Sequence, residues 1–155
     1  MDEMIKEIQG EDTLDGRYLT FFLDDELYGI EIRHIIEIIG IQPITVIPDM
    51  PDYIKGITNL RGKIIPVMDA RLRFKYEERT HDDRTCIIVL EVEDISMGVI
   101  VDAVSEVIVL GTTDVDTPPA VMGRAQDYIQ GIGKNGEEVV MLLDSELLLS
   151  ESEGA

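Results

Sequence analysis

Side chains able to do chemistry are few in this sequence, and their spacing argues against most reactions. Only two histidines occur, His34 and His81. Glu31-Ile32-Arg33-His34 and His81-Asp82-Asp83 each set carboxylates beside an imidazole, but a zinc centre needs three or four converging ligands, and a surface histidine among acids is the plainer reading. Cys86 is the single cysteine. It lies in the apolar run Cys86-Ile87-Ile88-Val89-Leu90 with no base near it in sequence, so it reads as an inert buried thiol. Gly131-Ile132-Gly133-Lys134-Asn135-Gly136 resembles a phosphate-binding loop, yet Asn135 stands where a Ser or Thr is needed and Tyr128 where the first glycine belongs. Asp114-Val115-Asp116 opens like a calcium loop and runs into Pro118-Pro119, with no glycine for the bend and no closing glutamate. No serine sits in a G-x-S-x-G elbow. Carboxylates are so numerous that paired ones carry no information. The sequence predicts no enzyme, no metal and no cofactor, and it points to binding.

Composition sets the frame in which such binding occurs. The chain has 155 residues, 45% of them hydrophobic, enough for a sizeable core without disulfides or metal. Isoleucine and valine dominate, and β-branched side chains favour pleated surfaces. With 13 Lys and Arg against 32 Asp and Glu, the net charge is −19, which on average repels nucleic acid and anionic membrane surfaces. No apolar run is long enough to span a bilayer. The N-terminus, Met1-Asp2-Glu3-Met4-Ile5-Lys6, lacks the plan of a signal peptide. These features together predict a cytoplasmic protein.

The ordered part reads as two copies of one unit. Tyr53 and Tyr128, Gly56 and Gly131, Asp69 and Asp144, and Leu72 and Leu147 are all separated by 75 positions. Leu27-Tyr28-Gly29-Ile30 echoes Ser96-Met97-Gly98-Val99, and Glu37 matches Glu106, both at an offset of 69. The change of offset places a six-residue insertion in the second copy, around 114–119. Each unit opens with a strand hairpin (18–32 and 85–101, with polar turns at 24–26 and near 93–94). A β-branched segment follows (33–39 and 102–110), strand rather than helix apart from a possible turn at its start. A second hairpin turns at Asn59-Leu60-Arg61-Gly62 in one copy and at Lys134-Asn135-Gly136 in the other, where Asn-Gly suits positive φ. Asp69 and Asp144 then sit as N-caps of short helices.

The expected fold is mainly β: two small five-stranded, partly open barrels packed on a common core, with short helices. Residues 1–16 form a flexible acidic arm, 17–82 the first barrel, 83–150 the second with its terminal helix packing back on the first, and 151–155 a frayed tail.

Differences between like units mark candidates for function. Leu60-Arg61 falls opposite Asn135-Gly136, so one copy places a leucine and an arginine where the other has ordinary turn residues. Arginine combines directional bonds with an apolar stem and is enriched in binding hot spots; its competing role is to pair with an acid and organise the barrels. Ile35-Ile36-Glu37-Ile38-Ile39 is more apolar than a one-sided strand requires, so one face is a second candidate.

At these residues the sequence resembles the CheW-like family of chemotaxis coupling proteins. The likeness is carried by Tyr28-Gly29-Ile30-Glu31-Ile32, Glu37-Ile38, Ile54-Lys55-Gly56-Ile57-Thr58-Asn59-Leu60-Arg61-Gly62 and Ile64-Ile65-Pro66-Val67-Met68-Asp69. It continues through Gly98-Val99-Ile100-Val101-Asp102-Ala103-Val104 and Tyr128-Ile129-Gln130-Gly131-Ile132. The resemblance implies two SH3-like barrels and an adaptor joining the histidine kinase CheA, through its regulatory domain, to the cytoplasmic tips of methyl-accepting chemotaxis receptors, in arrays at the inner face of the membrane. It assigns receptor contact to Arg61, with Asn59 and Leu60 beside it and the strand at Ile87 and Ile88. Kinase contact falls to Ile35, Ile36 and Glu37, on a face shaped by Gly56 and Gly62. The same module occurs as the regulatory domain of CheA and in CheV, but neither a kinase nor a receiver domain is present, so a standalone protein is expected. A small-molecule-binding barrel is the rival reading. It requires a pocket with converging polar groups, whereas this interior reads as filled with Ile, Val and Leu.

Overall fold

The computed structural model describes residues 15–119 and 125–151; the remainder of the expected arm and tail lies outside the described residues. The strands are β1 (Arg17–Leu23), β2 (Glu26–Glu31), β3 (Ile35–Gly40), β4 (Ile54–Leu60), β5 (Lys63–Asp69), β6 (Cys86–Val92), β7 (Ile95–Val101), β8 (Ala103–Val109), β9 (Val115–Asp116), β10 (Ile129–Asn135) and β11 (Glu138–Leu143). Two short helices, α1 (Ala70–Arg73) and α2 (Ser145–Glu151), follow β5 and β11. Their caps are as the sequence predicts: the carboxylates of Asp69 and Asp144 accept from the backbone N–H groups of Arg71 (2.9 Å) and Leu147 (3.1 Å). Burial pushes the Asp69 carboxyl above the usual carboxylate range, against the pull of the Arg71 and Leu72 N–H groups.

The internal repeat is visible in the registers. β4 and β10 each carry a bulge at the equivalent residues Lys55 and Gln130, and a bulge bends the strand that bears it. The turns correct one detail. Leu60 pairs with Lys63, and Asn135 with Glu138, so the loop residues are Arg61-Gly62 and Gly136-Glu137. Asn135 is the last residue of its strand. Its turn has positive φ only at Gly136 (64°), whereas the first copy holds positive φ at both Arg61 (54°) and Gly62 (87°).

Each sheet draws strands from both sides of the 82/83 division. One sheet runs β8-β1-β2-β11-β10-β9 and the other β3-β6-β7-β5-β4. Each copy gives its opening hairpin to the other copy's sheet: β1–β2 pairs with β8 and β11, while β6–β7 pairs with β3 and β5. The exchange is symmetric down to the register, since the parallel pairs Gly29 with Leu142 and Gly98 with Val67 are themselves equivalent. Crossing between sheets gives each hairpin two buried faces. In β6, Ile87 and Val89 join a small core with Ile65, Val67 and Ile100, while Ile88 and Leu90 face the large core shared by both sheets. The matching small core of the other sheet holds Leu27, Ile108, Leu110, Val140 and Leu142. β6 is therefore apolar without alternation, as a strand buried on both faces must be.

The shared core contains an aromatic row, Phe21–Tyr28–Phe74–Tyr128, with centroids 5.5–5.7 Å apart. The Arg73 guanidinium lies over the rings of the equivalent tyrosines Tyr53 and Tyr128, at 4.2 and 4.7 Å. Leu148 and Leu149 of α2 are buried in the same core, and α2 packs against β6. Among the described residues no helix is long and apolar enough to cross a membrane.

Candidate partner-binding surface

β3 is one edge of its sheet and β4 the other. One ion pair ties the two sides together. Arg61, in the β4–β5 turn, donates from Nη1 to both carboxylate oxygens of Glu37 on β3, at 2.7 and 2.6 Å. Glu37 is 8% exposed, whereas the Arg61 side chain is 72% exposed, so a buried anion is covered by a cation that faces solvent. The turn is arranged for this contact. Asn59 Oδ1 accepts from the Gly62 N–H (2.8 Å), and Arg61 occupies a left-handed conformation where the second copy has glycine. A non-glycine residue there costs on the order of 1 kcal/mol, and strain of this kind persists where a side chain is wanted for another purpose.

A groove of about 270 Å³ lies beside the pair, lined by Ile36, Glu37, Leu60, Arg61, Lys63, Ile65, Val89, Glu91 and Ser96. Ile36, Leu60, Ile65 and Val89 give it apolar walls. Ile36 is the bulged residue between Ile35 and Glu37 and is 50% exposed. At the rim Lys63 Nζ donates to Ser96 Oγ (2.9 Å), which donates to Glu91 (3.2 Å). A second groove, of about 330 Å³, lies where the sheets meet and is lined by Ile38, Ile39, Gly40, Arg84, Cys86, Ala103 and Val104. β3 contributes to both.

The structure thus brings together Ile36, Glu37, Leu60 and Arg61, with Asn59 and Gly62 shaping the turn. It does not bring the others to the surface. Ile87 and Ile88 are 0% exposed and Ile35 is 1% exposed, so the side chains of these three belong to the core. Gly56 is buried. Its φ is +146°, and a Cβ there would collide with the Thr45 carbonyl, which is held in a bridge to Ile57. It keeps the 41–53 connection close to β4. Arg61 of the expected receptor set and Glu37 of the expected kinase set are bonded to each other. Val89, Glu91, Ser96 and Cys86 could not be anticipated, because the exchanged hairpin β6–β7 brings them beside β3 from the other copy, with Arg84 just ahead of it; Val104 comes from β8 of the other sheet, and Lys63 follows the turn that holds Arg61.

Burial pushes the Cys86 thiol up to about 11. Near pH 8 this lowers the thiolate fraction roughly a hundredfold relative to an unshifted cysteine. Iodoacetamide is therefore expected to alkylate the folded chain about a hundred times more slowly than the urea-unfolded chain. Equal rates would show that burial does not hold the thiol in its protonated form.

Comparison with known proteins assigns the geometry to a family. The CheW-like domain model matches residues 17–153. The chain belongs to the CheW-like family. It is 38% identical over 152 residues to the chemotaxis protein CheW of Klebsiella aerogenes, covering 97% of this chain and 91% of that one. It is 37% identical over 140 residues to the CheW of Treponema pallidum, covering 87% and 82%. The crystal structure of the scaffolding protein TtCheW from Thermoanaerobacter tengcongensis superposes with a TM-score of 0.79 at 36% identity, covering 83% of this chain and 88% of that one. As a CheW-like chain it is a chemotaxis scaffold, in keeping with a surface built of grooves and an ion pair.

Proposed function

We propose that this chain couples chemoreceptor tips to the kinase CheA by holding both at once, at the cytoplasmic face of the membrane and without catalysis. The observation that carries this reading is the pair of open grooves to which β3 contributes successive residues. The groove of Ile36, Leu60 and Ile65 suits a barrel of the kinase's regulatory domain, a flat apolar contact with a charged centre. The groove between the sheets suits a helical receptor tip, laid in as an amphipathic helix. The Arg61–Glu37 pair lines the first groove, and Glu37 is followed on β3 by Ile38, which lines the second. Two faces on one body convert separate weak contacts into avidity. Control of the kinase then follows if its active and inactive states favour different bridge geometries.

The test is a pair of titrations of isotope-labelled protein, one with a CheA regulatory domain and one with a receptor-tip fragment, following amide shifts. Two distinct sets are expected, one centred on Ile36, Leu60 and Lys63, the other on Ile38, Ile39 and Val104. If neither partner moves a resonance at high concentration, coupling is wrong.

A further inference from the structure

The two copies differ sharply where the closing helix meets the turn of the opening hairpin. In the first copy that place is filled. Arg71 of α1 is buried and donates from Nη1 to Asp24 in the β1–β2 turn (2.7 Å) and to Asp102 (2.6 Å). The repeat offsets place Glu146 of α2 at the position of Arg71 and Glu93, in the β6–β7 turn, at that of Asp24. An acid has replaced the cation. What remains is an open groove of about 270 Å³ lined by Val92, Glu93, Ile95, Asp144, Glu146, Leu147 and Leu149. Ile95 and Leu147 are 37% and 38% exposed there. Ser145, between two of the lining acids, is 2% exposed, and its Oγ has no hydrogen-bond partner. Arg33 stands at the position equivalent to Asp102; it is bonded to Glu31 (2.7 Å) and does not line the groove.

We propose that this groove docks a basic segment of a partner protein, with apolar side chains on Ile95 and Leu147 and an arginine in the seat that Arg71 fills in the first copy. The first copy shows which group suits carboxylates in this setting: a planar guanidinium reaching two acids at once. Three carboxylates around apolar contacts supply the charge complementarity, and like-charged occupants are rejected. The two ends of the sequence are themselves acidic and do not complement the groove. Residues 1–14 carry Asp2, Glu3, Glu7, Glu11 and Asp12 against Lys6, and residues 152–155 carry Glu153. A second copy, at net −19, is repelled as well. This surface is separate from the two grooves along β3, and its test does not depend on them.

The probe is a short synthetic helix with leucines along one face flanked by arginines, compared with the same helix bearing glutamates for arginines. Amide shifts of the labelled full chain report where it binds. The arginine helix is expected to move resonances at 93–95 and 144–147, and the glutamate helix to move none. Glu146→Arg restores the cation that the first copy has at this position and is expected to weaken binding about tenfold or more, near 1.4 kcal/mol. Glu137→Arg makes the same change in net charge at the exposed β10–β11 turn and is expected to stay within about twofold. Shifts centred elsewhere, equal weakening by both variants, or unchanged binding by Glu146→Arg would each overturn the proposal, as would the absence of any shift.

Discussion

Arg71→Ala is expected to destabilise the fold by about 3 kcal/mol, within the range for leaving one member of a buried ion pair alone. Urea denaturation of the variant and the parent chain measures it. Arg71 sits on α1, just after β5, yet its guanidinium ties down three separate pieces of chain. Nη1 bonds Asp24 in the β1–β2 turn and Asp102 at the β7–β8 junction, and Nε donates to the Glu77 carbonyl at 2.7 Å. Asp102 lies where the chain leaves one sheet for the other, and it also accepts from the Asp24 N–H (2.8 Å) and from Arg79 (3.1 Å). Only 10% of either the Arg71 or the Asp102 side chain is exposed, so water replaces little of what is lost. The clamp fastens the exchanged hairpin, which has no covalent reason to stay on the far sheet. Pairing Arg71→Met with Asp102→Asn removes the uncompensated charge while keeping an acceptor for Asp24. The double variant is expected to be more stable than the sum of its singles by about 1 kcal/mol or more. An Arg71→Ala chain within about 0.5 kcal/mol of the parent would show that Arg79 alone suffices and that the clamp is redundant.

That exchange is the feature the sequence conceals. The elements themselves were readable. A shared offset at Tyr53 and Tyr128, Gly56 and Gly131, and Asp69 and Asp144 identified the second hairpin and capped helix of each copy, and polar turns marked the first hairpin. A repeat, however, leaves open whether a hairpin pairs with its own copy or with the other, because both present the same edge and the same alternation. The boundary at 82/83 followed the chain, whereas the sheets follow the cores. The same ambiguity left the burial of Ile87 and Ile88 unread: an apolar run is equally compatible with an exposed contact strip and with a strand buried on both faces. At the site, the anomaly of Arg61 was legible, since its equivalent is a glycine. Its bond to Glu37 was not, as the two residues lie on opposite edges of one sheet and nothing local links them. The groove around them also draws Val89, Glu91 and Ser96 from the second copy, which only the exchange makes neighbours.

Replacing Arg61 by glycine is expected to reduce affinity for at least one of the two proposed partners by about tenfold or more while leaving the fold nearly as stable as before. Two contributions oppose each other in the free protein. Glycine relaxes a left-handed residue, gaining on the order of 1 kcal/mol. Loss of the guanidinium uncovers Glu37, but the Arg61 side chain is 72% exposed and water screens the pair, which limits that cost to a similar size. Binding has no such compensation. Both bonds to Glu37 come from Nη1, so the rest of the fork is directed to solvent, and a partner that dries this surface would strengthen every bond it makes. Arg61→Lys keeps the charge but not the fork and should recover only part of the affinity. Measuring dissociation constants separately for a CheA regulatory domain and a receptor-tip fragment shows which partner leans on the pair. A loss confined to the kinase domain places Arg61 with Ile36 and Leu60. A loss confined to the receptor fragment places it with the groove between the sheets. If both affinities stay within about twofold while denaturation is unchanged, Arg61 serves only to cover Glu37, and the strain at its φ of 54° has no part in recognition.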